Sequence, residues 1–160
     1  MTRNGYVVDE VDARILRALI ADPRSTLVGL ADVTGLARNT VQSRVARLES
    51  KGVLQTFERR IDPAAIGFPL TAFITVTVTQ RKLDSISAAL ADVPEVIEVY
   101  GLSGATDLLV RIAARDADDL YRIAGRILDI DGIEKTSTGL AMRELVEYRV
   151  QPLLDVAFRR

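Results

Sequence analysis

The 160-residue sequence predicts an α+β fold in two parts, an N-terminal helix-turn-helix (winged-helix-like) domain and a C-terminal ferredoxin-like βαββαβ domain. Three observations predict it. The first sixty residues carry apolar positions at helical spacing, punctuated by Pro23 and Gly35. Past residue 70 the period changes to alternation, with Ala72, Ile74, Val76 and Val78 facing one way and Thr71, Thr75, Thr77 and Thr79 the other, Phe73 among them. The charge changes too: residues 1–60 hold ten Lys/Arg against seven Asp/Glu, net +3, and residues 61–160 hold eleven against fifteen, net −4.

In chain order, residues 1–8 read as a loose arm. Asp9 is the expected N-cap of a first helix, with Val11, Ile15, Leu16 and Leu19 as its core stripe, and Asp22-Pro23 ends it. Ser25 is the expected cap of a second helix. In that helix Leu27, Leu30 and Ala31 fall at i, i+3 and i+4, Gly35 permits a tight turn, and Val41, Val45 and Leu48 repeat at i, i+4 and i+7 in a third. Gly52 is the expected C-cap, and residues 53–61 look extended, as a wing or a tether. Asp62-Pro63 and Gly67-Phe68-Pro69 bracket a link, so the expected domains are 1–60, a linker at 61–69, and 70–160.

The third helix carries the functional signal. Around its buried stripe stand Arg38, Asn39, Thr40, Gln42, Ser43, Arg44 and Arg47, all hydrogen-bond formers, with no carboxylate before Glu49. Helix-turn-helix DNA recognition demands that list. The second helix lies in the major groove, Arg pairs with guanine, Asn or Gln with adenine, and the remaining donors hold phosphates. These seven are the candidate DNA-binding residues, and the competing reading is a helical hairpin with a solvated polar face.

After the link the expected order is a strand, a helix with Leu83, Ile86, Leu90 and Val93 stopped by Pro94, strands near 96–102 and 107–113, a helix near 117–130, and a strand near 133–141. Two helices cover one sheet face. The other would carry Phe73, Tyr100, Leu109 and the threonines, so a homodimer formed sheet to sheet is expected, pairing two reading heads; a half-polar face open to water is the alternative.

Other chemistries are disfavoured. The sequence has no Cys and no His, which removes disulfides, thiolate-zinc sites and His-dependent catalytic triads. No convergent carboxylate pair suggests a general base, so no enzyme, metal or cofactor is expected. The start of the chain lacks a signal-peptide run, and no stretch reaches the ~18 apolar residues of a membrane span, so a soluble cytoplasmic protein with no membrane partner is expected. Asp116, Asp118 and Asp119 suit a helix start, Asp129-Ile130-Asp131-Gly132 a helix end rather than a calcium loop, Gly125 a close-packing position, and Arg159-Arg160 a solvated tail. Gly101-Leu102-Ser103-Gly104 lies between strands, unlike an RNA-clamping GxxG loop.

The stretches VDEVDARILRAL, GLADVTGLARNTVQSRVARLESKGVL, IDPAAIGF, GLSGATDLLVRI and AMREL together resemble the leucine-responsive/asparagine-operon regulator (Lrp/AsnC, feast/famine) family over nearly the whole chain. The resemblance implies a sequence-specific DNA-binding transcriptional regulator, with double-stranded DNA as partner and an amino acid or similar small effector bound in clefts between dimers that assemble further. The family's effector segments correspond to Ser103, Gly104 and Asp107, and to Thr136, Ser137, Thr138 and Met142. Backbone amides near Gly104 and the threonine hydroxyls would suit a carboxylate, and Asp107 an ammonium; the bland reading of Gly104 to Asp107 is a hairpin turn. Three departures stand out: Ala37-Arg38 replaces the family's usual Ser, often followed by Pro, Gly29 its usual Glu, and Ala105-Thr106 its usual acidic-aromatic pair. A nucleoid-organising protein that wraps DNA with little sequence preference is the alternative.

Overall fold

The computed structural model describes residues 6–158, so Met1 to Gly5 of the expected arm and the Arg159-Arg160 tail lie outside the described residues. The chain divides into two compact units, one of residues 1–60 together with 146–160, the other of residues 61–145. Residues 146–160, expected in the C-terminal domain, therefore group with the helical unit. The reason is local: helix α6 (Gln151–Ala157) offers Asp155 Oδ1 and the Leu154 carbonyl to Arg17, each at 3.2 Å.

The helical unit begins with α1 (Glu10–Ala21), α2 (Leu27–Thr34) and α3 (Arg38–Ser50). Asp9 caps α1 as expected: its side chain accepts from Asp12 N at 2.8 Å, and the Asp12 side chain answers toward Asp9 N. The cap of α2 is Thr26, not Ser25. Ser25 Oγ donates to Asp22 Oδ2 to close the turn at Pro23, which leaves Thr26 Oγ1 to accept from Gly29 N at 3.1 Å. Gly35 turns the chain between α2 and α3 at φ +65°. Ile15, Leu30, Val41 and Leu48 are fully or almost fully buried. After α3 the expected extended run is absent. Gly52 lets Val53 N bond back to the Leu48 carbonyl, and a 3-10 turn at Phe57–Arg60 follows, so no strand forms a wing among the described residues of this unit. The expected linker is itself ordered, with Asp62 capping a 3-10 turn at Pro63–Ile66.

The second unit has strands β1 (Leu70–Val78), β2 (Val96–Gly101), β3 (Leu108–Ala114) and β4 (Ile133–Leu140), with α4 (Leu83–Ala91) and α5 (Ala117–Leu128) between them. The sheet is antiparallel in the order β2-β3-β1-β4, the predicted split arrangement. Ala72, Ile74, Val76 and Val78 point to the helix-covered face and join Val110, Ile112, Ile86, Leu90, Ile123 and Ile127 in one core. Asp116 caps α5 through Asp119 N, as a helix-start carboxylate should, while a Cβ at Gly125 would meet nothing within 4 Å, so close packing does not explain that glycine. Asp131 pairs with Lys82 Nζ at 2.7 Å, and no cluster of metal-binding side chains occurs among the described residues.

Gly132 is required where it stands, at φ +96° with a would-be Cβ 2.8 Å from Lys82 Cδ. Gly132→Ala is expected to lower stability by about 1–3 kcal/mol, read as a lower denaturant midpoint at unchanged slope.

Candidate functional site

Helix α3 is fixed through a charge cluster that joins it to α1. Asp12 is 0% exposed, yet it is a carboxylate on the first turn of α1. Its Oδ1 lies 3.1 Å from Arg44 Nη1 and 3.8 Å from Arg47 Nη2, and its Oδ2 accepts from the Tyr6 hydroxyl and from Asp9 N. Arg44 also bonds Asp9 directly, and the Arg47 guanidinium lies over the Tyr6 ring, 5.1 Å from its centre. A second tie runs from Arg14 to the Thr34 carbonyl at the end of α2. The hydrogen bond from Arg44, with that from Asp12 N, holds the Asp9 carboxyl below its ordinary range and raises Arg44 in turn; burial, then the Asp12 acceptor, pushes the Tyr6 phenol up.

With α3 held in this way, Val41 and Leu48 face inward and Arg38, Asn39, Thr40, Gln42 and Ser43 remain exposed on one polar surface. Arg44 differs from these five in its surroundings: it is half-buried, and its Nη1 bonds both Asp9 and Asp12, so it also ties α3 to α1. Arg47 is divided between the two, exposed but within reach of Asp12. No side chain caps α3: Ala37 occupies the N-cap without a hydrogen bond, so the first amides of the helix point outward unclaimed by a cap.

The expected effector residues occupy two ends of the sheet. Ser103 and Gly104, the latter at φ +145°, lie exposed in the loop between β2 and β3. Asp107 follows, with its Oδ2 accepting from Val78 N at 2.8 Å and its Oδ1 from Gln80 Nε2 at 2.6 Å; it latches the loop to the end of β1. Thr136 is opposite Val76, at that same end and on the helix-covered face; Ser137 faces the other way. Thr138 is opposite Ile74, and the chain leaves the sheet where Ala141 N bonds Thr71 O, with Met142 exposed just beyond. Between Val76 and Thr71 lie roughly 17 Å of strand at ~3.4 Å per residue. One copy of the chain therefore does not bring Asp107 and Met142 together.

Residues 8–55 match a family model for winged helix-turn-helix DNA-binding, and residues 71–151 match the Lrp/AsnC ligand binding domain. The chain belongs to the Lrp/AsnC family. Among curated relatives of this family, the HTH-type transcriptional regulator FL11 of Pyrococcus horikoshii is 33% identical over 146 residues, 91% of this chain and 97% of that protein. AldR of Mycobacterium tuberculosis is 38% identical, over 86% of this chain and 79% of AldR. E. coli AsnC superposes with a TM-score of 0.81 at 25% identity, covering 92% of this chain and all of that one. A feast or famine regulatory protein of M. tuberculosis, solved with L-methionine, superposes with a TM-score of 0.79 at 32% identity, covering 90% and 98%. Among the described residues no helix is long and apolar enough to cross a membrane.

The pattern of apolar spacing did not reveal Asp12 or Tyr6 as site-positioning residues. The one available signal was Asp12 standing three residues after Asp9, the spacing of a capping box. Arg44→Ala leaves Asp12 buried with weaker partners and is expected to lower the stability of the helical unit by about 1–3 kcal/mol, measured by denaturant unfolding. The Asp9 contribution is present above its unfolded pKa and lost as pH falls through the depressed folded value. Below about pH 4 the wild-type protein should therefore lose stability more steeply than Asp9→Asn, followed by thermal melts across pH.

Proposed function

We infer that this chain is a sequence-specific, DNA-binding transcription regulator that reads a two-fold operator with α3 and responds to a small amino-acid-like effector held by the sheet unit. The observation that carries this reading is the exposed α3 surface. Arg38, Asn39, Thr40, Gln42 and Ser43 stand together on a helix whose opposite side is buried, with no carboxylate among them. Arg38 and Asn39 supply paired donors and acceptors for base edges, and the uncapped amides before them supply donors for a phosphate. The match to a DNA-binding family model and the names of the relatives agree with it.

Two copies associate through the sheet face that α4 and α5 leave open. Phe73 is 39% and Tyr100 45% exposed there, and both lie on the side opposite the core. A two-fold dimer carries two reading helices, as a palindromic operator requires. The effector, an amino acid by analogy with the relative solved with L-methionine, is held between copies of the assembly, where the Gly104–Asp107 loop of one meets the Thr138–Met142 stretch of another. Ser103, Gly104, Thr136 and Ser137 complete the candidate set. The effector acts by favouring one assembly or orientation over another, because a ligand with equal affinity for both shifts nothing. The protein works by binding, in the cytoplasm, without turnover.

Fluorescence anisotropy with DNA from upstream of the protein's own gene, against scrambled DNA over a salt series, tests the reading. Preference for the upstream DNA is expected, and Arg38→Ala or Asn39→Ala should each remove about 1–3 kcal/mol of that preference while the melting temperature stays close to wild type. Equal, steeply salt-dependent binding to both DNAs would overturn sequence-specific regulation in favour of DNA wrapping.

A further inference from the structure

A row of four residues crosses the open sheet face. Strand register places Glu98 on β2 opposite Arg111 on β3, Arg111 opposite Phe73 on β1, and Phe73 opposite Gly139 on β4. An ion pair thus sits on the same face as the rings proposed for association. Arg111 Nη1 lies 3.3 Å from Glu98 Oε2, and the Glu98 side chain is 16% exposed. Arg111 Nε is closed off from water and has no hydrogen-bond partner.

This is an unfinished polar site. A guanidinium carries five N–H donors, and the bond to Glu98 uses one. Closing any apolar surface over Phe73 and Tyr100 would take water from the remaining donors, at a large cost unless the incoming surface brings acceptors. Glu98 is the one carboxylate at the register positions of this face, beside Thr71, Thr75, Thr77, Ser137 and Lys135. A cation and an anion set side by side on one surface complement a second copy of that surface, and a two-fold axis repeats each contact, so Arg111 on the partner's Glu98 is matched by Glu98 on the partner's Arg111.

The geometry points to a charge exchange in which the Arg111–Glu98 pairs of two copies join across the two-fold axis and make the face selective for a second copy of this chain. This rests on the sheet-to-sheet dimer proposed above. Apolar area supplies association; the pair supplies choice. A related sheet without the carboxylate would leave the guanidinium dry and unmatched.

Oligomeric state by light scattering, and retrieval of untagged by tagged chain after co-expression, test it. Glu98→Arg and Arg111→Glu each place like charges across the axis and should weaken self-association about tenfold or more, while the double exchange Glu98→Arg/Arg111→Glu should restore it. The decisive arm mixes the double exchange with wild type. Across the axis positions 98 and 111 would then each face a like charge, so tagged wild type should retrieve wild-type chains but few exchanged ones. Free mixing of the two would overturn the charge exchange, since it would mean that each pair is satisfied within its own copy. Phe73→Asp separates the two readings. If it leaves self-association intact, the sheet-to-sheet dimer itself falls and the charge exchange with it; if it gives monomers while the exchanged and wild-type chains mix freely, the charge exchange alone falls. Should either single variant fail to fold, the mixing arm still decides, because the double exchange keeps an opposite-charge pair within each copy.

Discussion

The buried carboxylate of Asp12 is the constraint on which the reading surface depends. An ion of this kind is stable away from water only when its oxygens are matched by donors. Here the donors come from α3, from Tyr6 and from the backbone at the start of α1. The requirement acts in both directions. α1 cannot bury its first turn without α3, and α3 cannot swing away without stranding a charge. Hydrophobic contacts at Ile15, Val41 and Leu48 bring the helices together without fixing their rotation, because apolar contact is non-directional; two guanidinium groups on one carboxylate are directional. The orientation of the exposed residues of α3 follows from that geometry.

The legible parts of the fold were those decided within a few residues. Alternation along β1 gave its inward side because a strand's side-chain period is two, and Asp9 and Asp116 announced helix starts because a cap acts on amides two or three residues away. The rest required partners distant in the chain. Whether Ser25 or Thr26 caps α2 was settled by Asp22 capturing the serine. The polar side of α3 was plain from its period, but no period tells which arginine of that side turns inward; Arg44 does so because Asp9 and Asp12 stand 35 and 32 residues earlier. An extended run, as a wing or a tether, was expected after Gly52 from β-favouring residues alone, and without a partner strand the chain took a turn. Of the residues aligned with the family's effector segments, Ser103, Gly104 and Asp107 lie on a loop, Thr136 to Thr138 on β4 and Met142 beyond it; their separation along β1 follows from register, which no local pattern contains.

The sheet unit divides its two faces between different tasks. One face is filled by α4 and α5 and holds the unit's core. The other combines rings, hydroxyls and one ion pair, a composition suited to association that must also discriminate. Asp107 contributes to order at the sheet's end rather than standing free: both its oxygens are engaged, so the loop bearing Gly104 has a defined origin. A rigid loop base would suit the ligand site proposed above between copies, since a mobile one would have to be ordered at each binding event.

The docking of α6 beside α1 has a meaning in the order of synthesis. The first sixty residues leave the ribosome early, and domains generally fold as they emerge. Yet Asp155 and the Leu154 and Phe158 carbonyls, the acceptors for Arg17, lie at the far end of the chain, 137 to 141 residues later. The nascent reading head must wait through translation of the whole sheet unit before its last helix exists. A message truncated just after β4 would still encode the sheet in full, but it would release a head that can never be finished.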